Sequence, residues 1–188
     1  MKKALSLILC MIFVFSFAAC KEKEEKSAPV VSTVKHNVDV KKLVDEGVID
    51  TIDYKLGDDV ETVKTALSQI TDEHGDSGFD FNDAWEEYVT MSADGVFCRY
   101  EKDEESEGIS VLAVNDGAFG FTKGMIPTKV SDAMKSLGYS TALRDVKDGE
   151  FFFLPKGTEA GVLEYRFDKN NLAFVFIEDG LSFTVIYK

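Results

Sequence analysis

Carboxylates crowd the segment from residue 72 to residue 83, DEHGDSGFDFND, and their oxygens could bind a cation. Asp72, Asp76 and Asp80 are weak candidates for metal ligands, because hard cations such as Ca²⁺ prefer carboxylate oxygens. The EF-hand spacing fails, since Ser77 stands where the sharp-turn glycine belongs. We therefore predict no firm metal site: a solvated acidic loop is the main expectation, and a weak Ca²⁺ site is its alternative.

Catalytic chemistry has few other candidate residues in this chain. Histidine occurs only at His36 and His74, which is too little for a zinc site beside three cysteines. The motifs of serine hydrolases, P-loop proteins, dinucleotide-binding enzymes and zinc metalloproteases do not occur. Carboxylates are plentiful, but they fall in predicted loops and turns and single out no acid–base couple. The sequence predicts a protein that is not an enzyme and has no cofactor.

The start of the chain is typical of an export signal. Two lysines precede an uncharged stretch at residues 5–19, and this stretch is shorter than the roughly 20 apolar residues that span a bilayer. Its end, Phe17-Ala18-Ala19-Cys20, resembles the lipobox of bacterial lipoproteins, in which small residues precede a cysteine. The resemblance implies that residues 1–19 are a lipoprotein signal peptide and that Cys20 is lipidated.

Lipidation predicts a protein that is anchored to the cell membrane on its extracytoplasmic face. Two or three acyl chains on Cys20 give stable anchoring. An ordinary secretory signal and an uncleaved anchor are the alternatives. Residues 20–37 combine mixed charge, small residues and Pro29, and we predict that they form a flexible tether between the lipid and the folded part.

The charge of the chain limits its partners. The formal net charge is −13, and loss of Lys2 and Lys3 with the signal makes it −15. Nucleic acid is therefore excluded as a partner, because phosphate binding needs clustered lysine and arginine.

Cysteine use indicates a domain without disulfides. Removal of Cys10 with the signal and lipidation of Cys20 leave Cys98 without a partner. Cys98 lies in a strand pattern, and we predict a buried structural thiol at this position.

The spacing of apolar residues predicts helices and strands in alternation. Helices are expected at residues 38–48, from residues 57–59 to Ile70, and at residues 128–137. Asp58, with Glu61 three residues later, is expected to cap the second helix, and Thr128 the third. Strands are expected at residues 95–102, 109–114, 118–122, 150–154, 162–168, 172–178 and 181–187. Residues 85–92 are expected to form a strand or a short turn followed by a strand.

A helix followed by antiparallel strands occurs twice, which predicts an internal repeat. Residues 110–117 match residues 173–180 at a shift of 63, and residues 94–97 match residues 160–163 at a shift of 66. The fold class we predict is α+β, with two tandem helix-plus-meander repeats at residues 38–122 and 123–188. Chance similarity between two hairpins is the alternative.

The first repeat also carries a short family-like pattern. Gly57, Val63 and Leu67 form a G-x5-V-x3-L helix before a meander. This pattern resembles the repeat of β-lactamase inhibitor protein and of the SmpA/BamE outer-membrane assembly lipoproteins. The chain also resembles YjgB-type lipoproteins of unknown function. The resemblance implies the fold and assigns no functional residue.

Aromatic residues in the second repeat supply the functional prediction. They are Phe151, Phe152, Phe153, Tyr165, Phe167, Phe174, Phe176, Phe183 and Tyr187. Helices cover one face of such a sheet, so aromatics on the other face would form a protein-binding surface. We therefore predict a non-catalytic protein-interaction module of the cell envelope, whose partner is another envelope protein. The alternative is a small-ligand or Ca²⁺-binding lipoprotein.

Overall fold

The computed structural model describes residues 38–71, 78–102 and 108–188. Cys20, the tether, Asp72 and Asp76 lie outside the described residues, so the predictions made for them stay predictions. Within the described ranges, no helix is both long enough and apolar enough to cross a membrane.

Three helices and eight strands form the described part of the chain. The helices are α1 (Val40–Glu46), α2 (Val60–Ser68) and α3 (Pro127–Ser136). The strands are β1 (Asp80–Asn82), β2 (Tyr88–Ala93), β3 (Val96–Glu101), β4 (Ile109–Val114), β5 (Arg144–Asp145), β6 (Ala160–Arg166), β7 (Asn171–Ile177) and β8 (Gly180–Tyr187). They form one antiparallel sheet in the order β1-β2-β3-β4-β8-β7-β6-β5. The predicted mixture of helices and antiparallel strands is confirmed.

The ends of the helices follow from local chemistry. Gly47 ends α1 in the left-handed conformation, with φ of 75°, which glycine adopts without a steric cost. The predicted caps of the other two helices are wrong. Asp59 caps α2 by accepting from the Thr62 N–H, whereas Asp58 accepts from the Lys55 N–H before the helix. The N-cap of α3 is Ile126, ahead of Pro127.

One face of the sheet packs on the helices. Val44, Leu67 and Met134, from the three helices, are fully buried against this face. Strand residues such as Leu112 and Phe174 belong to the same cluster. Residues from both predicted repeats therefore share a single hydrophobic core on this side of the sheet.

A predicted strand is missing after β4. Residues 118–122 form no strand and contain a turn at residues 119–120, with φ of 55° at Phe119 and 80° at Gly120. Phe119 and Phe121 are buried in the core, and the Phe119 N–H donates to Asp50 Oδ1 at 2.7 Å. A carboxylate far away in sequence thus takes the hydrogen bond that a neighbouring strand would have provided.

The strand predicted at residues 150–154 is also absent. Residues 148–154 form consecutive turns and bends, with the Leu154 N–H donating to the Phe151 carbonyl at 3.0 Å. This segment lies over the sheet face opposite the helices, where its apolar side chains cover a second and smaller cluster. We call residues 146–156 the covering segment.

Candidate functional site

The covering segment is held on the sheet by aromatic packing. Phe153 lies at the centre of this contact, with its ring centroid 4.6 Å from that of Phe183 and 5.6 Å from that of Phe97. Phe151 packs on Phe153 at 5.5 Å. Beneath these rings lie buried small and branched side chains, among them Val175. Much of the sheet face that the sequence predicted to be open is therefore covered by the chain itself.

An ionic network holds the first half of the covering segment. The Arg144 guanidinium on β5 donates to Glu150 Oε2 at 3.0 Å and to Glu164 Oε2 on β6 at 3.0 Å. The hydrogen bond from Arg144 is the largest cause of a lowered pKa at Glu150. At Glu164 the largest cause is the hydroxyl of Tyr187, with Arg144 adding to it, and the pKa is again lowered. These contacts favour the ionised carboxylates and tie the covering segment to β5 and β6.

Between the covering segment and β1–β2, the sheet face remains open as a groove of about 360 Å³. Its floor is polar on β1 and β2. Asp80 lies opposite Ser92 and Asn82 lies opposite Thr90 in the antiparallel register, and all four residues line the groove. Residues that face each other across neighbouring strands point to the same side of a sheet. The β1–β2 part of the floor therefore carries hydroxyl, amide and carboxylate groups, and Phe97, opposite Ser92 on β3, adds an apolar ring.

One wall of this groove is a pair of stacked aromatic rings. Trp85 packs on Tyr88 with ring centroids 5.6 Å apart and planes at 20°. The Arg99 guanidinium lies 4.9 Å from the Tyr88 ring centroid, within cation–π distance. Trp85 nevertheless keeps 52% of its surface exposed. The turn that carries it is fixed by the Ala84 N–H, which donates to Asn82 Oδ1 at 2.9 Å.

The covering segment supplies the opposite wall. Phe152, Phe153 and Leu154 contribute apolar surface there, and the exposed Lys156 also lines the groove. Lys156 and Asp80 are the only charged residues among the described lining. We call this space the aromatic groove: a site with two aromatic walls, a hydrogen-bonding floor and a lining whose formal charges cancel.

A second, smaller pocket of about 260 Å³ lies on the same face of the sheet. Phe151 and Phe152 line both spaces and so separate this pocket from the aromatic groove. Its charged groups are engaged with each other: Arg99 pairs with Glu101, and Glu164 accepts from both Tyr187 and Arg144. Because these groups already satisfy one another, the pocket is a less favourable ligand site than the aromatic groove.

The predicted site residues have different outcomes. Asp80 is exposed on β1 and lines the aromatic groove. Within the described residues, no group of three or more His, Cys, Asp or Glu side chains is placed to hold a metal ion. Since Asp72 and Asp76 lie outside those residues, the weak Ca²⁺ site stays a prediction.

The prediction for Cys98 is confirmed. Its side chain is fully buried, and burial raises the pKa of its thiol to about 12. A thiol in such surroundings is a packing group and not a nucleophile.

Sequence reasoning found only part of the aromatic surface. Tyr165, Phe174 and Phe176 belong to the core under the helices. Phe151, Phe153, Phe183 and Tyr187 belong to the opposite face, as expected for an aromatic second surface. Trp85 and Tyr88 were missed. Their signal in the sequence is a tryptophan inside an acidic turn, a position where burial gives no reason for an aromatic residue.

Comparison of the chain with protein-family models, with curated proteins and with solved structures gives no match.

Proposed function

We propose that this protein is a lipid-anchored, extracytoplasmic binding protein of the cell envelope, and that it holds a ligand in the aromatic groove without transforming it. The observation that carries the proposal is the combination of two aromatic walls with a hydrogen-bonding floor. Ligand sites in proteins are concave, with aromatic lining and a few placed polar groups.

The proposal of a non-catalytic role rests on the same lining. Asp80 is the one carboxylate among the described residues that line the groove, which also contains no histidine or cysteine. Histidine is the side chain that most often serves as a general acid or base. The lining suits binding and orientation.

The geometry favours the small-ligand alternative over the protein-interaction module. A stable protein interface buries about 800 Å² on each partner, and the centre of this sheet face is already occupied by Phe151 and Phe153. A protein partner is the second candidate function. It is favoured by Trp85, whose half-exposed ring is the kind of residue that anchors protein interfaces.

A photo-crosslinking amino acid in place of Ala84 tests the binding function in intact cells. Ala84 is exposed between the groove floor and Trp85, so a bound molecule lies within its reach. The matched control replaces Lys129, which is exposed on α3. We expect an adduct from Ala84 and none from Lys129. Equal labelling at both positions, or none at either, would contradict a ligand site in the groove.

The membrane anchor is a separate part of the proposal and is supported by the lipobox-like residues 17–20. Substitution Cys20→Ala should abolish labelling by a fatty-acid probe and release the protein from the membrane fraction. Unchanged membrane retention would contradict lipidation.

We also propose that the domain consists of two repeats, in the manner of the β-lactamase inhibitor protein and SmpA/BamE-like folds. The sheet order supports it, because β1–β4 and β5–β8 are each a meander and the last strands of the two meanders pair. This order relates β4 to β8, whereas the residue matches at a shift of 63 relate β4 to β7. The correspondence we favour is the one of the sheet order.

A further inference from the structure

We propose that the ligand of the aromatic groove is a neutral glycan, a short run of uncharged sugar rings. This inference rests on the proposed binding function and names the chemical class of the ligand. It follows from three properties of the groove: the two walls, the floor and the balance of charge.

The walls suit the flat faces of sugar rings. A pyranose has faces of C–H groups, which carry a small positive charge and pack on the negative face of an aromatic ring. Trp85 offers such a face, since it is half exposed although it stacks on Tyr88. Phe152 offers a second one from the covering segment, and its ring packs edge-on against Phe153 at 5.3 Å. Each ring is thus held in place by a neighbouring ring before a ligand arrives.

The floor suits the hydroxyl groups at the edges of sugar rings. A sugar hydroxyl both donates and accepts, so it needs partners of both kinds. Thr90 and Ser92 offer hydroxyls of the same character. The Asn82 oxygen already accepts from the Ala84 N–H, which leaves its two amide protons as donors towards the groove. Asp80 supplies an acceptor. The β1–β2 pair therefore offers both donors and acceptors.

The charge of the lining favours a ligand without charge. Asp80 and Lys156 cancel each other within the groove, while the chain as a whole carries −13. A polyanion would meet the repulsion of the whole chain with only one lysine in its favour. A polycation would be attracted by the net charge of the chain, but the lining offers it only one carboxylate, together with a lysine that repels it. A neutral and hydroxyl-rich molecule meets neither penalty.

The size of the groove agrees with this class of ligand. Its volume of about 360 Å³ is near the lower end of the range of roughly 300–1,000 Å³ found for small-molecule sites. It accommodates a short oligosaccharide segment.

The fluorescence of Trp85 tests the inference directly, because Trp85 is the only tryptophan in the chain. The full chain in detergent is titrated with three neutral oligosaccharides: hexamers of β-1,4-linked glucose, α-1,4-linked glucose and β-1,4-linked N-acetylglucosamine. A hexalysine peptide and a hexaglycine peptide serve as controls that represent a polycation and a neutral peptide. We expect a saturable change in Trp85 emission with at least one oligosaccharide and no such change with either peptide.

Variants locate the binding in the groove. Asn82→Ala and Phe152→Ala should each weaken binding about tenfold, the effect of losing roughly 1.4 kcal/mol of interaction. Thr90→Val keeps the shape and the strand preference of the residue, so it removes a hydroxyl without unfolding β2. Thr65→Val, at an exposed position on α2, is the matched control and should bind like the parent chain.

Each outcome of these titrations either supports or overturns the inference. Saturable binding that the three groove variants weaken supports the inference. Binding that persists in all three variants, or that only the peptides produce, overturns it. If no oligosaccharide binds while the crosslinker at Ala84 still captures a molecule, the glycan is wrong and the binding function stands. If both experiments are negative, the proposed function fails as well.

Discussion

The side chain of Asn170 donates from Nδ2 to the carbonyl oxygen of Val44, at 2.7 Å. Val44 lies in the last turn of α1, where carbonyl groups lose their partners within the helix, and Asn170 lies in the turn between β6 and β7. Asn170 is 8% exposed, although most asparagines lie at the surface. Lys41 pairs with Asp168 beside it at 2.6 Å. These contacts therefore hold α1 against the turn between β6 and β7.

Substitution Asn170→Ala should lower the free energy of unfolding by about 1–2 kcal/mol. The Val44 carbonyl keeps its bond from the Gly47 N–H at 3.0 Å. The loss is therefore the buried hydrogen bond to Val44, a longer one from Nδ2 to the Asp45 carbonyl at 3.3 Å, and some packing. Urea denaturation of the parent chain and the variant measures the difference.

Lys169→Ala is the control for this prediction. Lys169 is exposed, and its contact with Asp45 comes from the backbone N–H, which alanine retains. Its effect should stay within about 0.5 kcal/mol. If the two substitutions cost the same, the buried amide has no special role in fastening α1.

The contacts of Arg144 with two glutamates predict that the stability of the fold depends on pH. Glu150 and Glu164 have lowered pKa values in the folded protein, with hydrogen bonds from Arg144 contributing to both. A carboxyl group with a lowered pKa in the folded state adds stability above its unfolded pKa, about 4.3 for glutamate. That stability is lost as the pH falls through the lower folded pKa. Denaturation at pH 7 and at pH 3 should therefore show a smaller difference in Arg144→Gln than in the parent chain.

The size of this effect is limited by solvent. The Arg144 side chain is 40% exposed, so we expect no more than about 1 kcal/mol at pH 7. Arg166→Gln, at an exposed position on β6, is the control and should leave the pH dependence as it is. An Arg144→Gln chain with the full pH dependence of the parent would show that other carboxylates cause it.

Burial of Cys98 predicts that its thiol does not react in the folded protein. Only the thiolate is alkylated, and with a pKa of about 12 and a fully buried sulfur the group is both protonated and inaccessible. Iodoacetamide at pH 8, followed by mass spectrometry of the peptide that contains Cys98, should show modification only when urea unfolds the chain. Rapid alkylation without urea would mean that β3 opens easily.

Local signals in the sequence were sufficient for elements that depend on their own residues. The predicted bounds of β4, residues 109–114, are those observed, because the strand is a continuous apolar run between turn residues. The helix α1 likewise lies within the predicted range of residues 38–48, and Gly47 ends it. In both cases the residue type itself sets the backbone conformation.

Long-range contacts decided the elements that were predicted wrongly. The run Phe151-Phe152-Phe153 has the composition of a strand, but β6 already pairs with β5 and β7. The run covers the sheet face in place of joining the sheet. Residues 118–122 likewise form no strand, because the Phe119 N–H donates to Asp50 in place of a neighbouring strand. Contacts between residues so far apart in the sequence produce no local periodicity, so a sequence pattern cannot predict them.

The candidate site was hidden for the same reason. Its two walls, Trp85 and Phe152, come from opposite halves of the chain, and its floor depends on the register between β1 and β2. The sequence predicted an aromatic surface on the second half, but the open part of that surface is completed by the first. Asp80, a candidate metal ligand in the sequence, instead belongs to the floor of this groove.

The cap of α2 gives a last prediction, since sequence and structure name different residues for it. Asp59 Oδ1 accepts from the Thr62 N–H at 2.9 Å and from the Thr62 hydroxyl at 3.0 Å. Asp59→Ala should therefore lower the free energy of unfolding by about 1 kcal/mol. Glu61→Ala removes a first-turn carboxylate that pairs with Lys64 at 3.5 Å, and it should cost only about 0.3–0.5 kcal/mol. Urea denaturation distinguishes the two, because a capping box built on Glu61 predicts the larger loss for Glu61→Ala.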